Sequence, residues 1–254
     1  MIASLPMYDW PAAQPVSDRL WAEIRDRLRA AGMPAPETLC RGGDLWADWQ
    51  RPDLTLSQTC GFPYRTRLHD LVTLVGTPDF GLPGAEPGYY YSQMLVRADA
   101  GGSWADFLGG VLAINGFDSQ SGWAAPQNHA AASGACFKRV LVTGAHLNSA
   151  SAVAEGRADI AAVDAVTWRL IESQHPEIAQ KLRIVTRTEP TPGLPLITAI
   201  GHDPIMIAQA FRGAITALSK RDRAIWGLQG LADIPTAAYL AIPTPAALDQ
   251  APIL

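Results

Sequence analysis

Short apolar runs alternate along the chain with segments whose apolar residues recur every three or four positions. That alternation predicts α/β architecture with largely parallel sheets. IASLPMY opens as a strand, and SDRLWAEIRDRLRAAG follows as a helix capped by Ser17, with Leu20, Trp21, Ile24 and Leu28 on one face and Gly32 at its end. DLTLSQT reads as the second strand, ending at CGFPYRT; LHDLVTLVGTPDF contains the third, and YYYSQMLVRAD is a long fourth. A second series begins near residue 100. GSWADFLGG is a short helix, VLAIN a strand, SGWAAPQNHAAAS a helix interrupted by Pro126, and RVLVTG a strand. HLNSASAVAEGR then reads as helix, ADIAAVD as strand, AVTWRLIESQ as helix and LRIVTRT as strand. PTPGLPLITAI leads into a last strand, and the tail carries two helices, the first capped by Asp203 with Pro204 at its first position.

Two extended segments, 92–98 and 186–196, flank the middle series. Taken as crossings between lobes, they give a first lobe of 1–95 plus 194–254 and a second of 96–193. A chain folded this way has a ligand cleft where strand ends meet helix starts. Neither a fixed-period repeat nor a low-complexity tract interrupts the pattern.

Composition removes several partners. In 254 residues, 20 Lys and Arg face 24 Asp and Glu with no basic run, which excludes a nucleic-acid groove and an anionic membrane surface. No apolar window approaches the roughly 18 residues of a membrane span, so no membrane insertion is expected. The three cysteines, Cys40, Cys60 and Cys136, are widely spaced, which suggests neither a zinc site nor a disulfide framework, although one disulfide fits the count. His69, His129, His175 and His202 lack metal-ligand spacing, and no metal or cofactor is expected. The N-terminal MIASLPMYDWPAAQ carries no basic segment ahead of an apolar stretch, so no secretory leader is read there.

The candidate chemistry lies in four turns that each follow a strand. In NGFDSQSGW, Ser119 and Ser121 offer hydroxyl donors, and Gly122 admits an oxyanion to the backbone where unpaired amides and the helix dipole favour negative charge. The competing reading of that turn is an ordinary helix cap. SQTCGFPY sets Ser57, Thr59, Cys60 and Gly61 at the end of the second strand, TGAHLNS sets His146 at a helix start, and VDAVTW does the same for Asp164, a residue type that also caps helices. Cys60 reads as a small packed residue, since neither a helix start nor a basic neighbour is evident to activate its thiol.

Taken in order, LAINGFDSQSG, VTGAHLNSASAVAEGRADIAAVDAVTW, LSQTCGFPY and ASLPMYDW resemble the phosphate, phosphite and phosphonate substrate-binding subunits of bacterial ABC importers. The resemblance implies a two-lobed type II periplasmic-binding-protein fold and a ligand cleft between the lobes. It places the tetrahedral oxyanion on Ser119, Gln120, Ser121, Gly122 and His146. Tyr8, Thr59, Cys60 and Gly61 would line the facing lobe, and Asp164 would meet a ligand amine or hydroxyl. Gln120 departs from the small hydroxyl residue common between the two serines, and Trp10, Phe117 and Trp123 make the mouth more aromatic.

The expected function is therefore a solute-binding protein that closes on a small oxyanion (phosphate, phosphonate or a related organic anion), with an ABC permease as partner and no catalysis. As an importer receptor it would be periplasmic; without a leader the cytoplasm is the alternative. The competing functions are a cytoplasmic enzyme, with Ser121 and His146 as nucleophile and base, and a cytosolic anion sensor on the same scaffold.

Overall fold

The computed structural model describes residues 1–246. Its strands are β1 (Ile2–Ser4), β2 (Leu54–Gln58), β3 (Val72–Asp79), β4 (Tyr89–Tyr90), β5 (Ser92–Arg97), β6 (Val111–Ile114), β7 (Arg139–Val142), β8 (Ile160–Asp164), β9 (Leu182–Arg187), β10 (Thr191–Pro192), β11 (Leu196–Ala199) and β12 (Gly230–Ala232). The α-helices are α1 (Gln14–Ala30), α2 (Leu45–Trp49), α3 (Gly61–Pro63), α4 (Ala125–Ala131), α5 (His146–Ala154), α6 (Ala165–Gln174), α7 (Pro176–Ala179), α8 (Pro204–Ala217), α9 (Lys220–Ala224) and α10 (Thr236–Leu240). The described chain divides into two compact units: Met1–Tyr89 with Pro192–Ala241, and Tyr90–Thr191 with residues 242–246.

Unit 1 holds the sheet β1-β2-β11-β3-β12, and unit 2 holds β7-β6-β8-β5-β9. The sheets are mixed where largely parallel ones are predicted. In unit 2, β6 runs parallel to β7 and β8, while β5 lies antiparallel between β8 and β9. In unit 1, β1 and β2 are parallel, β11 lies antiparallel between β2 and β3, and β12 is antiparallel to β3. The inserted strands have one physical cause. The chain passes between units at Tyr89–Tyr90 and at Thr191–Pro192, within β4 and β10, which pair with each other. After each passage it enters the next sheet at the carboxyl ends of that sheet's parallel strands: Ser92 opposes Asp164 at the end of β8, and Leu196 opposes Gln58 at the end of β2. A strand that starts at that edge can only run against its neighbours. Residues 92–97, read from sequence as part of a crossing, are therefore β5, and the pairing with β8 and β9 holds them inside the sheet of unit 2.

The central strands of unit 2 are apolar on both faces. Met94, Leu95, Leu112, Ile114, Ile160 and Val163 are fully buried, as strands covered on both sides by helices require. In unit 1, α1 packs on α8. The buried positions Val16, Leu20, Trp21, Ile24 and Leu28 of α1 follow the predicted stripe, but the helix starts earlier than predicted. Pro15 occupies its first turn, so Ser17 is not the cap; it lies inside the helix, buried, its hydroxyl donating to the Ala13 carbonyl. A proline in the first turn sets the helical backbone angle and gives up an amide that would have no partner there, which allows the earlier start. Asp203 does cap α8, accepting from the Ile205 and Met206 amides, with Pro204 following it. Cys40, Cys60 and Cys136 are all free thiols.

Leu95→Ala, at a fully buried position in the central strand β5, is expected to lower unfolding free energy by about 2–5 kcal/mol. Asp203→Ala, which removes only a cap, should cost about 0.5–2 kcal/mol. Urea denaturation monitored by circular dichroism measures both, and a reversed order would refute this assignment of core and cap.

Candidate functional site

The parallel direction of β6, β7 and β8 brings three of the four predicted turns to one edge of unit 2. After β6 the chain runs through Asn115 to Ser119, whose Oγ accepts from the Gly122 amide at 3.0 Å and caps a π-helical turn, Gln120–Ala124. Pro126 does not break a helix here. It falls at the second position of α4, directly after the π turn, and the helical backbone runs on through it. After β7, His146 opens α5, and at the end of β8, Asp164 caps α6.

These side chains meet. Ser121 Oγ lies 2.8 Å from His146 Nε2, and the same nitrogen is 3.6 Å from Asp164 Oδ2. Asp164 Oδ1 accepts from the Val166 and Thr167 amides at 3.1 and 2.9 Å, and its other oxygen accepts from the Thr167 hydroxyl. Ser92, opposite Asp164 in the ladder, donates its hydroxyl to the Ser121 carbonyl at 2.9 Å. Ser119, Gln120, Ser121, Gly122 and Asp164 are all buried. Gly122 is closely approached: a Cβ there would lie 1.9 Å from Asn115 Oδ1 and 3.2 Å from His146 Cε1, so the Asn115 side chain would have to shift. Ser119 acts as the cap of this turn, and Ser121 faces the histidine.

Burial pushes the His146 imidazole below its ordinary value of 6.5, against the opposing pull of Asp164 and the Ala162 backbone. The ring is therefore neutral at pH 7 and recognises a partner by hydrogen bonding rather than by charge. The geometry is also not that of a nucleophilic triad. A triad needs the serine and the carboxylate on opposite ring nitrogens, so that the carboxylate holds the tautomer that accepts the serine proton. Here both face Nε2.

The facing-lobe candidates belong to unit 1 and share the carboxyl edge of β1 and β2. Tyr8 is buried, packs edge-on against Phe80 at 5.1 Å, and its carbonyl accepts from Trp226 Nε1 at 3.1 Å. Thr59 is fully buried; its amide donates to the Pro195 carbonyl, while its hydroxyl has no hydrogen-bond partner among the described residues. Gly61 is buried and opens α3. Cys60 precedes it as the helix cap, with Arg65 and Arg67 in the following turn, so the thiol does stand at a helix start, although one of only three residues. The Ser57 hydroxyl pairs with that of Ser4 at 2.8 Å, within the sheet.

Three polar residues of the unit 2 cluster escaped the sequence reading. Thr167, three residues after a capping aspartate, carries a local signal. Asn115 ends the strand-like run VLAIN and gives only a weak one. Ser92 gives none, because only the pairing of β5 with β8 brings it to the cluster.

Among solved structures, an ABC phosphonate transporter binding protein from Pseudomonas aeruginosa is similar at 17% identity and a TM-score of 0.64, over 91% of this chain and 81% of that one. PhnD1 from Prochlorococcus marinus, in complex with methylphosphonate, is similar at 13% identity and a TM-score of 0.66, over 94% of each chain. A Xanthomonas citri protein bound to ATP gives 18% identity and a TM-score of 0.66, over 94% of this chain and 92% of that one. No curated protein matches the sequence. The fold is the two-lobed type II periplasmic-binding-protein fold. A family model described as "ABC transporter, phosphonate, periplasmic substrate-binding protein" matches residues 70–237, and the chain belongs to that family of solute-binding proteins.

Two outcomes test the cluster. Gly122→Ala forces a Cβ against Asn115 and should destabilise the protein by about 1–3 kcal/mol, read as a lower thermal midpoint. The second concerns pH. With its folded value below 6.5, His146 stays neutral in the native state while the unfolded chain takes up a proton, so the native state loses stability as pH falls through 6.5 toward the folded value. Urea midpoints measured from pH 8 to pH 5 should therefore fall more steeply for the parent than for His146→Gln; equal slopes would remove His146 as the cause.

Proposed function

We propose that the protein is the receptor of an importer for a small tetrahedral oxyanion, a phosphonate or a closely related phosphorus oxyanion, held by Ser119, Gln120, Ser121, Gly122 and His146. The observation that carries this reading is the part-buried Ser121–His146 hydrogen bond beside the backbone of a helix start at a glycine closely approached by Asn115. Neutral donors in a site without lysine suit a ligand that brings its own charge, because each such hydrogen bond is charge-assisted. Related folds were solved with methylphosphonate, ATP and chloride, all of them anions.

In this reading Asp164 positions the histidine and, beside it, accepts from a protonated ligand oxygen or an amine. Tyr8, Thr59, Cys60 and Gly61 supply contacts from unit 1, with the segments around β4 and β10 acting as hinges. Closure is favoured because some ligand contacts form only in the closed state. The receptor works outside the cytoplasmic membrane and delivers its ligand to an ABC permease, with no chemical step.

Calorimetric titration with phosphate, phosphite, methylphosphonate and 2-aminoethylphosphonate tests the assignment. At least one should bind, and Ser121→Ala should weaken that binding by about 1–3 kcal/mol, as expected for a hydrogen bond to a charged group. Tight binding left unchanged by Ser121→Ala would sink the socket assignment, and failure of all four to bind would refute the oxyanion reading.

A further inference from the structure

Unit 1 contains a cavity of about 30 Å³. Its place follows from the topology. β1 and β2 are parallel, and β3 runs the same way because β11 lies antiparallel to both β2 and β3. Gln58 ends β2, Phe80 follows β3 and Leu196 begins β11, so these lining residues stand at the carboxyl edge of the sheet. Ser17 of α1 and Phe211 of α8 close the cavity from the helical side, and Trp226 completes the wall. Every lining residue among those described belongs to unit 1, and none is charged.

Most of the wall is aliphatic or aromatic carbon. Apart from the aromatic residues, two polar side chains line it, Gln58 and Ser17, and both are poorly satisfied. Gln58 is only 5% exposed; its Nε2 reaches the Leu194 carbonyl at 3.4 Å, and among the described residues no hydrogen bond ends on its Oε1. Ser17 is equally buried, and its Oγ reaches the Ala13 carbonyl at 3.5 Å. Ordinary bonds of these types are several tenths of an ångström shorter, and buried polar groups are normally paired. A buried amide oxygen that lacks a donor and lines a cavity points to a ligand that brings one.

The wall selects among occupants. An ion would lose its hydration and find no opposite charge. Water is a poor match, because the space holds roughly two or three water-sized groups and each water needs two to four polar partners. An ether would fill the apolar space yet bring no donor for Gln58 Oε1. A short alcohol meets both requirements.

We propose that this cavity binds a neutral alcohol of two or three carbons, with its alkyl chain against Leu20, Phe80 and Phe211 and its hydroxyl donating to Gln58 Oε1. The site is built from unit 1 alone and uses no residue of the unit 2 cluster, so it stands whether or not an oxyanion binds there.

Trp226 carries the readout, because its indole nitrogen donates to the Tyr8 carbonyl at 3.1 Å and both residues line the cavity. Its indole proton resonance, assigned through Trp226→Phe, should shift with 1-propanol and saturate at concentrations on the order of millimolar, as suits so small a ligand. Ethyl methyl ether has the same number of heavy atoms and no donor, and it should bind about threefold to tenfold more weakly. Gln58→Met keeps the length of the side chain without its amide and should bring 1-propanol down to the level of the ether. Ser17→Leu, which fills the cavity from α1, should abolish the saturable shift for both. A shift in the parent protein that never saturates, as for a cavity holding only water, overturns the site. Equal affinity for the alcohol and the ether, or a preference for the alcohol that survives Gln58→Met, overturns it as well. The comparison of the two ligands needs only the parent, so it decides the matter even if a variant fails to fold.

Discussion

Each sheet admits one strand that arrives from the other unit, and each such strand enters at the carboxyl edge of its new neighbours. The rest of the arrangement depends on that constraint. Because β5 starts opposite the end of β8, Ser92 lies beside Asp164 and its hydroxyl fixes the Ser121 carbonyl. Because β11 starts opposite the end of β2, Leu196 and Pro195 back the Gln58–Thr59 segment, and the Thr59 amide finds its acceptor there. The passages between units thus brace the turns that carry the candidate ligand residues.

The side chains of the unit 2 cluster are fixed mainly by hydrogen bonds to neighbouring backbone and hydroxyl groups. Ser119 spends its oxygen on the Gly122 amide, Asp164 spends both oxygens on the start of α6, and Ser92 holds the backbone at Ser121. In the proposed reading a ligand meets neutral donors, and Asp164 as acceptor, held in place before binding, which reduces the ordering cost of association. The neutral state of His146 fits this design, since a buried imidazolium would be costly in the unliganded protein. The shared use of Nε2 by Ser121 and Asp164 departs from a catalytic triad built of the same three residue types, in which serine and carboxylate take opposite ring nitrogens.

Much of this was legible in the chain. Apolar runs long enough to be covered on both faces marked the central strands, the 3.6-residue stripe marked the buried face of α1, and the D-P pair marked the start of α8. Local capping chemistry gave Asp164 its place at the start of α6. Sequence also put Ser121 and His146 at the ends of strands in the same series, since each turn follows its own strand directly. These features are local, set by periodicity and by short-range hydrogen bonds, and so a linear reading recovers them.

Pairing across the sheet is not local, and there the tertiary structure decided. Nothing in SQMLVR states that it runs against its neighbours; that follows from where the preceding passage delivers the chain, so a crossing was read where β5 lies. Ser17 looked like a cap until Pro15, by fixing the backbone two residues earlier, moved the helix start. The 2.8 Å contact between residues 25 positions apart and the second neighbour on the same ring nitrogen both depend on distances between segments. The sequence by itself determined which residue types stand at the strand ends, because backbone propensity and periodicity act over a few residues. Only the tertiary structure decided which of them touch, because contact depends on strand order and direction, which the chain's long-range pairings set.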